Sequence, residues 1–490
     1  MSSSLSEYEL KELFRCRKFN PGLKSTSGKQ VEIIQTGEPN LNTGPDFKAS
    51  LVKMNGVVFR GDIELHRRSS DWFTHNHHYD RNYNSVILHV VVESDDLREC
   101  VTESRRHVET VELSPFLSAD AAKFLKGLDN GEAGSLPCAA VSYRMRVDEK
   151  KSLLDVLGEK RFFHKVGRFE ERLKDIIDEN RPVVFEAKQK YFKDFSELLI
   201  EHKTYEESEL KDESYWDQLL YEGISEGLGY SKNTAAFRKL ARNASLSFIK
   251  EHANGDRLSA EAILFGAAGL LPQSVSDFDE ESVSYCASLD QIWQGLRKKY
   301  RREHLDKSEW LFFKLRPQNF PTMRLAGAAY LLTAKEDGFT ARRIVGREHP
   351  TGVDDLLSLW RDTFTVPSAD YWSRHFLFGA VSNAKVKMLI GLGRVEEIII
   401  NVLLPIMHLR GTVFNSEPIR QTAMSAYKCH PPIADNNITV LVKEGLFGGD
   451  NVFDSVVTQQ GALHIYRTLC SERRCQRCKI GKVVFRKPAA

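Results

Sequence analysis

Between residues 44 and 89 the chain collects carboxylates and imidazoles at short spacing. GPDFKASL carries Asp46, and GDIELH carries Asp62, Glu64 and His66. DWFTHNHHYD adds Asp71, His75, His77, His78 and Asp80, and His89 follows inside an apolar run. Five of the fifteen histidines therefore fall between 66 and 89. Carboxylate oxygens suit Mg2+ or Mn2+, and such an ion activates water and offsets charge on a phosphodiester. Imidazoles ligate zinc, manganese or iron and carry protons near neutral pH. The plainer reading of the same residues is a solvated acidic face closed by Arg60 and Arg67. In that reading His89 is a satisfied core histidine or a partner of a ligand, and Trp72 and Tyr83 anchor the loop.

A second candidate lies near the end, in CSERRCQRC. Cys475 and Cys478 have the spacing of a metal knuckle, and Cys470 adds a third thiolate. Zn2+ wants a fourth ligand, for which His464, Cys429 and His430 are candidates; an iron–sulfur cluster competes, since thiolates serve both. Catalysis is not expected there, because nothing nearby supplies a water-activating set. Arg473, Arg474, Arg477, Lys479, Lys482 and Arg486 surround the cysteines and suit phosphate-backbone contacts or a solvated face.

The first candidate must be positioned by a hairpin. FKASLVKM and VVFRGDIELH flank Asn55-Gly56, the strongest short-range hairpin signal, because both residues tolerate positive φ. Alternation along the second strand puts Val58, Arg60, Asp62, Glu64 and His66 on one face and Phe59, Ile63 and Leu65 on the other. With a two-residue turn, paired residue numbers sum to 111. Asp46 then faces Leu65, so a site joining Asp46 to Glu64 requires a bulge, for which Pro45 and Gly61 are the expected irregular points.

LSEYELKELFRC reads as a helix and KQVEIIQTGEPN as a strand. SVILHVVVE is an apolar, β-branched run expected to be a central strand. From about residue 151 the pattern turns helical, first in the basic EKRFFHKVGRFEERLKDI, whose Phe162, Phe163 and Phe169 are expected to pack inward. LGYSKN, RPQNFP and the two LLP segments at 270–272 and 403–405 read as turns. The expected organisation is α+β. A mixed-sheet domain with a peripheral extension spans 1–150, and a charged helical connector spans 151–210. A helical domain follows over 211–425, and a small basic cysteine-metal module over 426–490.

The chain has 490 residues, 41% hydrophobic and 28% charged, with a formal net charge of +2. That is ordinary for a globular protein and too weak a positive balance to imply nucleic acid by itself. No signal peptide is read at MSSSLSEYELKELF, the apolar runs are too short to span a membrane, and eight cysteines make no disulfide scaffold. A cytoplasmic, reducing location without membrane association is expected. No P-loop, dinucleotide fingerprint or nucleophile elbow is present.

GPDFKASL, GDIELHRRSSDWFTHNHHYDRNY and SVILHVVVE resemble the uncharacterised bacterial domain-of-unknown-function 2851 family. Further landmarks are LGYSKN, LFGAAGLLP, RPQNFPTMRLAG and CSERRCQRCKIG. That resemblance brings no activity. A second one, over about residues 5 to 95, is to restriction-endonuclease-like phosphodiesterases of the PD-(D/E)XK type. Pro45-Asp46 matches that family's first element and Glu64-Leu65-His66 its second, with His66 where the family has lysine. Glu9 or Glu12 matches its early helical glutamate. The resemblance implies a metal-dependent nuclease acting on DNA or RNA, with Asp46, Glu64, His66 and Glu12 in catalysis and Mg2+ or Mn2+ on Asp46 and Glu64. Two alternatives stand beside it. One is a non-catalytic nucleic-acid-binding protein with a degenerate nuclease-like domain. The other is a His/carboxylate metalloenzyme acting on a small substrate, in which His75, His77 and His89 outrank Asp46.

Overall fold

The computed structural model describes residues 7–40, 44–96, 98–119, 121, 136–181, 205–313, 315–333, 339–346, 352–383, 385–471 and 474–485. The chain divides into two compact units, Met1–Ser135 and Leu136–Ala490. Arg473 and Arg486 lie outside the described residues, as do most of SADAAKFLKGL, which reads as a small helix, and Pro182, which reads as an interruption of the charged helical stretch.

The first unit is a mixed sheet. Its strands are β1 (Leu23–Lys24), β2 (Gln30–Gln35), β3 (Glu38–Pro39), β4 (Phe47–Met54), β5 (Val57–Arg68), β6 (Val86–Glu93) and β7 (Glu109–Glu112). The order is β1-β2-β4-β5-β6-β7, with β3 on β4. β4 and β5 pair antiparallel, whereas β5, β6 and β7 run parallel. A bridge between Ser25 and Val111 brings the two edges together, so the sheet nearly closes into a barrel. Helix α1 (Glu7–Arg15) seals the apolar side, where Leu10, Leu13 and Phe14 pack with Val52, Ile63, Leu65, Leu88 and Val90. Burial of such a set is the main drive for folding, at ~1.5–3 kcal/mol per large apolar side chain.

The Asn55-Gly56 turn forms as its sequence requires, with φ of 44° and 88°. From Met54–Val57 to Ser50–Gly61 every pair sums to 111; Phe47 then pairs with Ile63, a sum of 110. Two residues of β4, Lys48 and Ala49, thus oppose the single Asp62. The bulge lies there and not at the expected Pro45 or Gly61. Ala49 takes the left-handed conformation, φ 54°, and its amide donates to Asp62 Oδ1 at 3.0 Å. Lys48 Nζ (2.8 Å) and Ser85 Oγ (2.5 Å) donate to the other oxygen. Gly61 instead permits a close approach of strands, since a Cβ there would meet Ile87 Cγ2 at 2.4 Å and Ser85 O at 2.7 Å.

The second unit is mainly helical and centred on the 34-residue helix Val147–Asn180. The segments SYWDQLLYEGISEGLGY (214–230), NTAAFRKLARNA (233–244), SAEAILFGAAGLL (259–271) and TMRLAGAAYLLTA (322–334), which read as helical, correspond to the helices Glu213–Leu228, Tyr230–Asn243, Arg257–Ala267 and Pro321–Thr333. Trp216, Phe237, Phe265, Trp360 and Tyr427 are in its core. Phe162 and Phe169 pack inward, but Phe163 is exposed. The turn expected at 403–405 does not form. Leu392–Ile398 continues through a π-helical turn, Ile399–Leu403, into Leu404–Val413. The wider turn just ahead of Pro405 accommodates a residue that has no amide hydrogen to give. Two small two-stranded sheets, Val366–Pro367 with Met388–Ile390 and His375–Leu377 with Ala380–Val381, break the helical expectation for this region.

The cysteine-metal module is overturned. Among the described residues, no group of three ligand atoms that could share an ion lies near the C-terminus. Cys470 ends a π-helical turn, Cys475 opens a 3-10 turn and Cys478 precedes the helix Lys479–Val484. Cys470 and Cys478 instead pack with Cys138, Leu446, Ile465 and Ile480. Burial pushes the Cys470 thiol up to about 12 and the Cys138 thiol to about 11, with the neighbouring cysteines adding to both shifts. These are protonated thiols serving as small apolar groups. The suggested fourth ligands are engaged elsewhere or apart. His430 Nε2 meets Glu396 Oε2 at 2.9 Å, His464 lies by His164, and Cys429 is exposed.

Candidate metal centre

The bulge is what assembles the site. One extra residue in β4 shifts the count to 110, which puts Asp46 opposite Glu64. Asp46 N donates to Glu64 Oε2 at 2.9 Å, and Leu65 N donates to Asp46 Oδ2 at 3.1 Å. The acidic part of the polar face of β5 is not solvated: Asp62, Glu64 and His66 are 6%, 5% and 2% exposed, while Val58 and Arg60 ahead of them are exposed. Burying three such groups costs several kcal/mol unless each is paired. Asp62 is satisfied by the bulge, and Glu64 by Asp46 and the imidazoles.

Three elements bring the imidazoles together. His66 sits on β5 two residues after Glu64, on the same face. The short helix α2 (Asp71–Thr74) ends at His75, and Asn76 takes the left-handed conformation (φ 59°) before the 3-10 turn His77–Tyr79. That reversal turns both flanking histidines toward His66, and asparagine tolerates it better than most residues. Trp72 is wholly buried and holds the loop by donating Nε1–H to Val101 O at 3.0 Å. Tyr83 stacks on His77 with ring centroids 3.7 Å apart.

His66 Nε2 lies 3.1 Å from His75 Nδ1, 3.3 Å from His77 Nε2 and 3.4 Å from Glu64 Oε1. His77 Nε2 lies 3.5 Å from Glu64 Oε1. Tetrahedral ligands at 2.0–2.1 Å from an ion stand about 3.3–3.4 Å apart, and the ligand atoms of His66, His75 and His77 all lie within 4.8 Å of one another, so these three could share a cation, with Glu64 Oε1 beside His66 and His77. On the far side, His66 Nδ1 meets His89 Nε2 at 2.9 Å, and His89 Nδ1 faces Cys100 Sγ at 3.4 Å. This is the arrangement by which a ligating imidazole has its tautomer and orientation fixed. His66 and His77 are buried, and His75 is exposed, so solvent reaches the cluster from the His75 side.

Burial, then the neighbouring imidazoles, lowers His66 to about 2. Burial, then His75, lowers His77 to about 4; burial, then His77, lowers His89 to about 3. Neutral imidazoles are the form that binds a metal.

Several expected residues are placed otherwise. Glu12 pairs with Arg15 (Nε–Oε1 3.0 Å), and Lys11 of α1 lies 2.7 Å from Asp46 Oδ1. Asp71 accepts from Arg68 N, and Asp80 from Asn82 N, so both shape the loop. His78 packs against Phe73 and Tyr79. Sequence reasoning missed Lys11, Asn76 and Cys100 as parts of the site and read Tyr83 as a loop anchor or a base-stacking aromatic, not as the partner of His77. Of the missed residues, Asn76 alone carried a usable signal, as the turn-tolerant residue inside His-Asn-His.

A second cluster lies in the helical unit, where ligand atoms of Asp279, Glu281 and His375 fall within 4.8 Å of one another. Asp279 caps the helix Glu280–Arg297 by accepting from Ser282 N at 3.0 Å, and Glu281 pairs with Arg374. His375 is fully buried, with Nδ1 2.8 Å from Tyr371 O.

Fold and site together define a two-unit protein with two His/carboxylate clusters poised to bind a metal ion, the first on a nearly closed mixed sheet. The chain belongs to the family described as protein of unknown function (DUF2851), which matches residues 7–197 and 188–436. No curated protein and no solved structure matches it. Among the described residues, no helix is long and apolar enough to cross a membrane.

Proposed function

We propose that the N-terminal unit is a metal-dependent enzyme acting on a small substrate, with Glu64, His66, His75 and His77 gathered on one transition-metal ion. The carrying observation is that ligand atoms of His66, His75 and His77 all lie within 4.8 Å of one another, with Glu64 Oε1 3.4 Å from His66 Nε2 and 3.5 Å from His77 Nε2. Three imidazoles and one carboxylate suit Zn2+, Mn2+ or Fe2+ better than Mg2+, which prefers oxygen. One carboxylate leaves such an ion with residual positive charge, able to polarise a bound water or substrate oxygen. His75 lies on the solvent side, where a small ligand would enter. His89 orients His66, and Asp46, held by Lys11 and by Leu65 N, fixes the strand ends around Glu64.

One observation favours nucleic acid as a second reading: Asp46 and Glu64 do meet. Their bonds weigh against it. Asp46 spends its oxygens on Lys11 and Leu65 N, and one Glu64 oxygen accepts from Asp46 N. The proposal is tested by metal analysis of the purified protein, followed by turnover of small esters, amides and phosphoesters beside plasmid DNA and RNA. The expected result is one transition metal per chain, lost in His66→Ala and His77→Ala, with turnover of a small substrate only. Mg2+-dependent cleavage of DNA or RNA that needs Asp46 and Glu64 but survives His75→Ala and His77→Ala would establish the nuclease instead.

A further inference from the structure

Helix Val147–Asn180 carries Arg161, Lys165 and Arg168 at spacings of four and three, which place them on one face. Lys165 Nζ donates to Asn401 Oδ1 at 2.6 Å and to Gln460 Oε1 at 3.0 Å. Arg161 Nε donates to the same Gln460 oxygen at 2.8 Å. Two cations thus share one neutral amide oxygen on a residue that is 2% exposed. Arg467 adds a third positive charge close enough to act on both. Arg168 also acts on both, but it is paired with Glu226 at 2.6 Å. Among the described residues, no carboxylate lies within salt-bridge distance of Arg161, Lys165 or Arg467. The acid that acts on Lys165 is Glu397, itself 3.4 Å from Arg394.

Such a grouping is costly unless something neutralises it, because like charges crowd together where water is scarce. Burial first, then Arg467, lowers Arg161 to about 10. Burial first, then Arg161, Arg168 and Arg467, holds Lys165 well below the ordinary lysine range. The backbone marks the same place. Asn401 lies in the π-helical turn Ile399–Leu403, and Arg467 lies in the π-helical turn Tyr466–Cys470. Such turns inside α-helices recur at functional sites. The framework beneath is tightly set: a Cβ on Gly158 would lie 2.0 Å from Val457 O, and one on Gly461 would lie 1.8 Å from Leu154 O. The helices Val147–Asn180 and Val456–Ile465 therefore meet backbone to backbone, fixing Arg161 and Lys165 against Gln460.

We infer that Arg161, Lys165 and Arg467, with Asn401 and Gln460 as neutral positioning partners, form a binding site for a phosphate group carried by a small molecule. A guanidinium fork binds two phosphate oxygens, and an ammonium adds a point charge. The site uses none of the residues of the metal centre and stands independently of it.

The test is binding of inorganic phosphate and of a phosphate monoester to the full-length protein, by calorimetry and thermal shift, with chloride at matched ionic strength as control. Wild type is expected to bind one phosphate per chain and to melt higher in its presence. Arg467→Gln, at an exposed position, is expected to keep the fold and weaken binding at least tenfold. Lys165→Gln is expected to abolish the phosphate-induced shift while melting at or above the wild-type temperature without phosphate, because a crowded charge has gone. A monoester bound more tightly than inorganic phosphate assigns the site to a phosphorylated metabolite; the reverse order assigns it to free phosphate. No phosphate-specific shift in wild type, or equal shifts in wild type and both variants, would overturn the inference.

Discussion

Cys470, Cys475 and Cys478 lie closer in sequence than His66, His75 and His77, yet among the described residues only the imidazoles converge. The difference lies in what the backbone does between the ligands. On the N-terminal unit, a strand delivers Glu64 and His66 to one face, and Asn76 reverses the loop so that His75 and His77 return to it. In the C-terminal segment, the cysteines fall on a π-helical turn, a 3-10 turn and a helix start, and Cys470 and Cys478 pack into an apolar cluster. Ligand spacing proposes a metal site; a conformation that aims lone pairs at one point makes one.

Removing one ligand of each kind separates the two regions most sharply. His66→Ala is expected to lower metal affinity by roughly 100-fold or more, since it removes the central nitrogen together with its His89 partner's purpose. Cys475→Ser and Cys478→Ser are expected to leave metal content unchanged. Metal analysis of the three variants beside wild type checks both statements. A smaller effect is expected one contact further out. His89→Ala should weaken metal binding by roughly 10–100-fold while leaving stoichiometry at saturation intact, as measured by chelator competition.

The two units also differ in their response to pH. His66, His77 and His89 have folded pKa values of about 2, 4 and 3, against 6.5 for the free side chain. The unfolded chain therefore binds more protons below pH 6.5, and the metal-free N-terminal unit should lose stability as pH falls through that range. In the helical unit Glu261 is raised to about 7, first by burial, while Tyr285 donates to it at 2.6 Å. There the folded state keeps the proton, so this group's contribution is lost as pH rises from about 4.5 through 7. Urea unfolding of wild type and Glu261→Gln between pH 5 and 8 is expected to show a shallower decline in the variant.

Much of the first unit was legible. The Asn-Gly turn set the hairpin, and the apolar run 86–93 made β6 an inner strand. The register count exposed the need for a bulge, although its position was missed. No rule of composition places a left-handed alanine, and the residue that holds it, Asp62, read as one more carboxylate on the acidic face of the strand. The partners Lys11 and Cys100 were hidden because they come from distant segments. The cysteine module failed for the opposite reason: its spacing was legible, but the apolar packing that takes up Cys470 and Cys478 was not. The smallest predicted effect concerns the bulge itself. Ala49→Gly should stabilise the N-terminal unit by about 1 kcal/mol in urea unfolding, because glycine takes positive φ without the Cβ penalty.

X-ray absorption at the metal edge of the purified protein decides whether the imidazole cluster holds the ion. Nitrogen and oxygen ligands are expected at about 2.0–2.1 Å, with imidazole scattering that is lost in His66→Ala. A shell of sulfur at about 2.3 Å, or a metal signal unchanged in His66→Ala, would contradict a histidine-built centre.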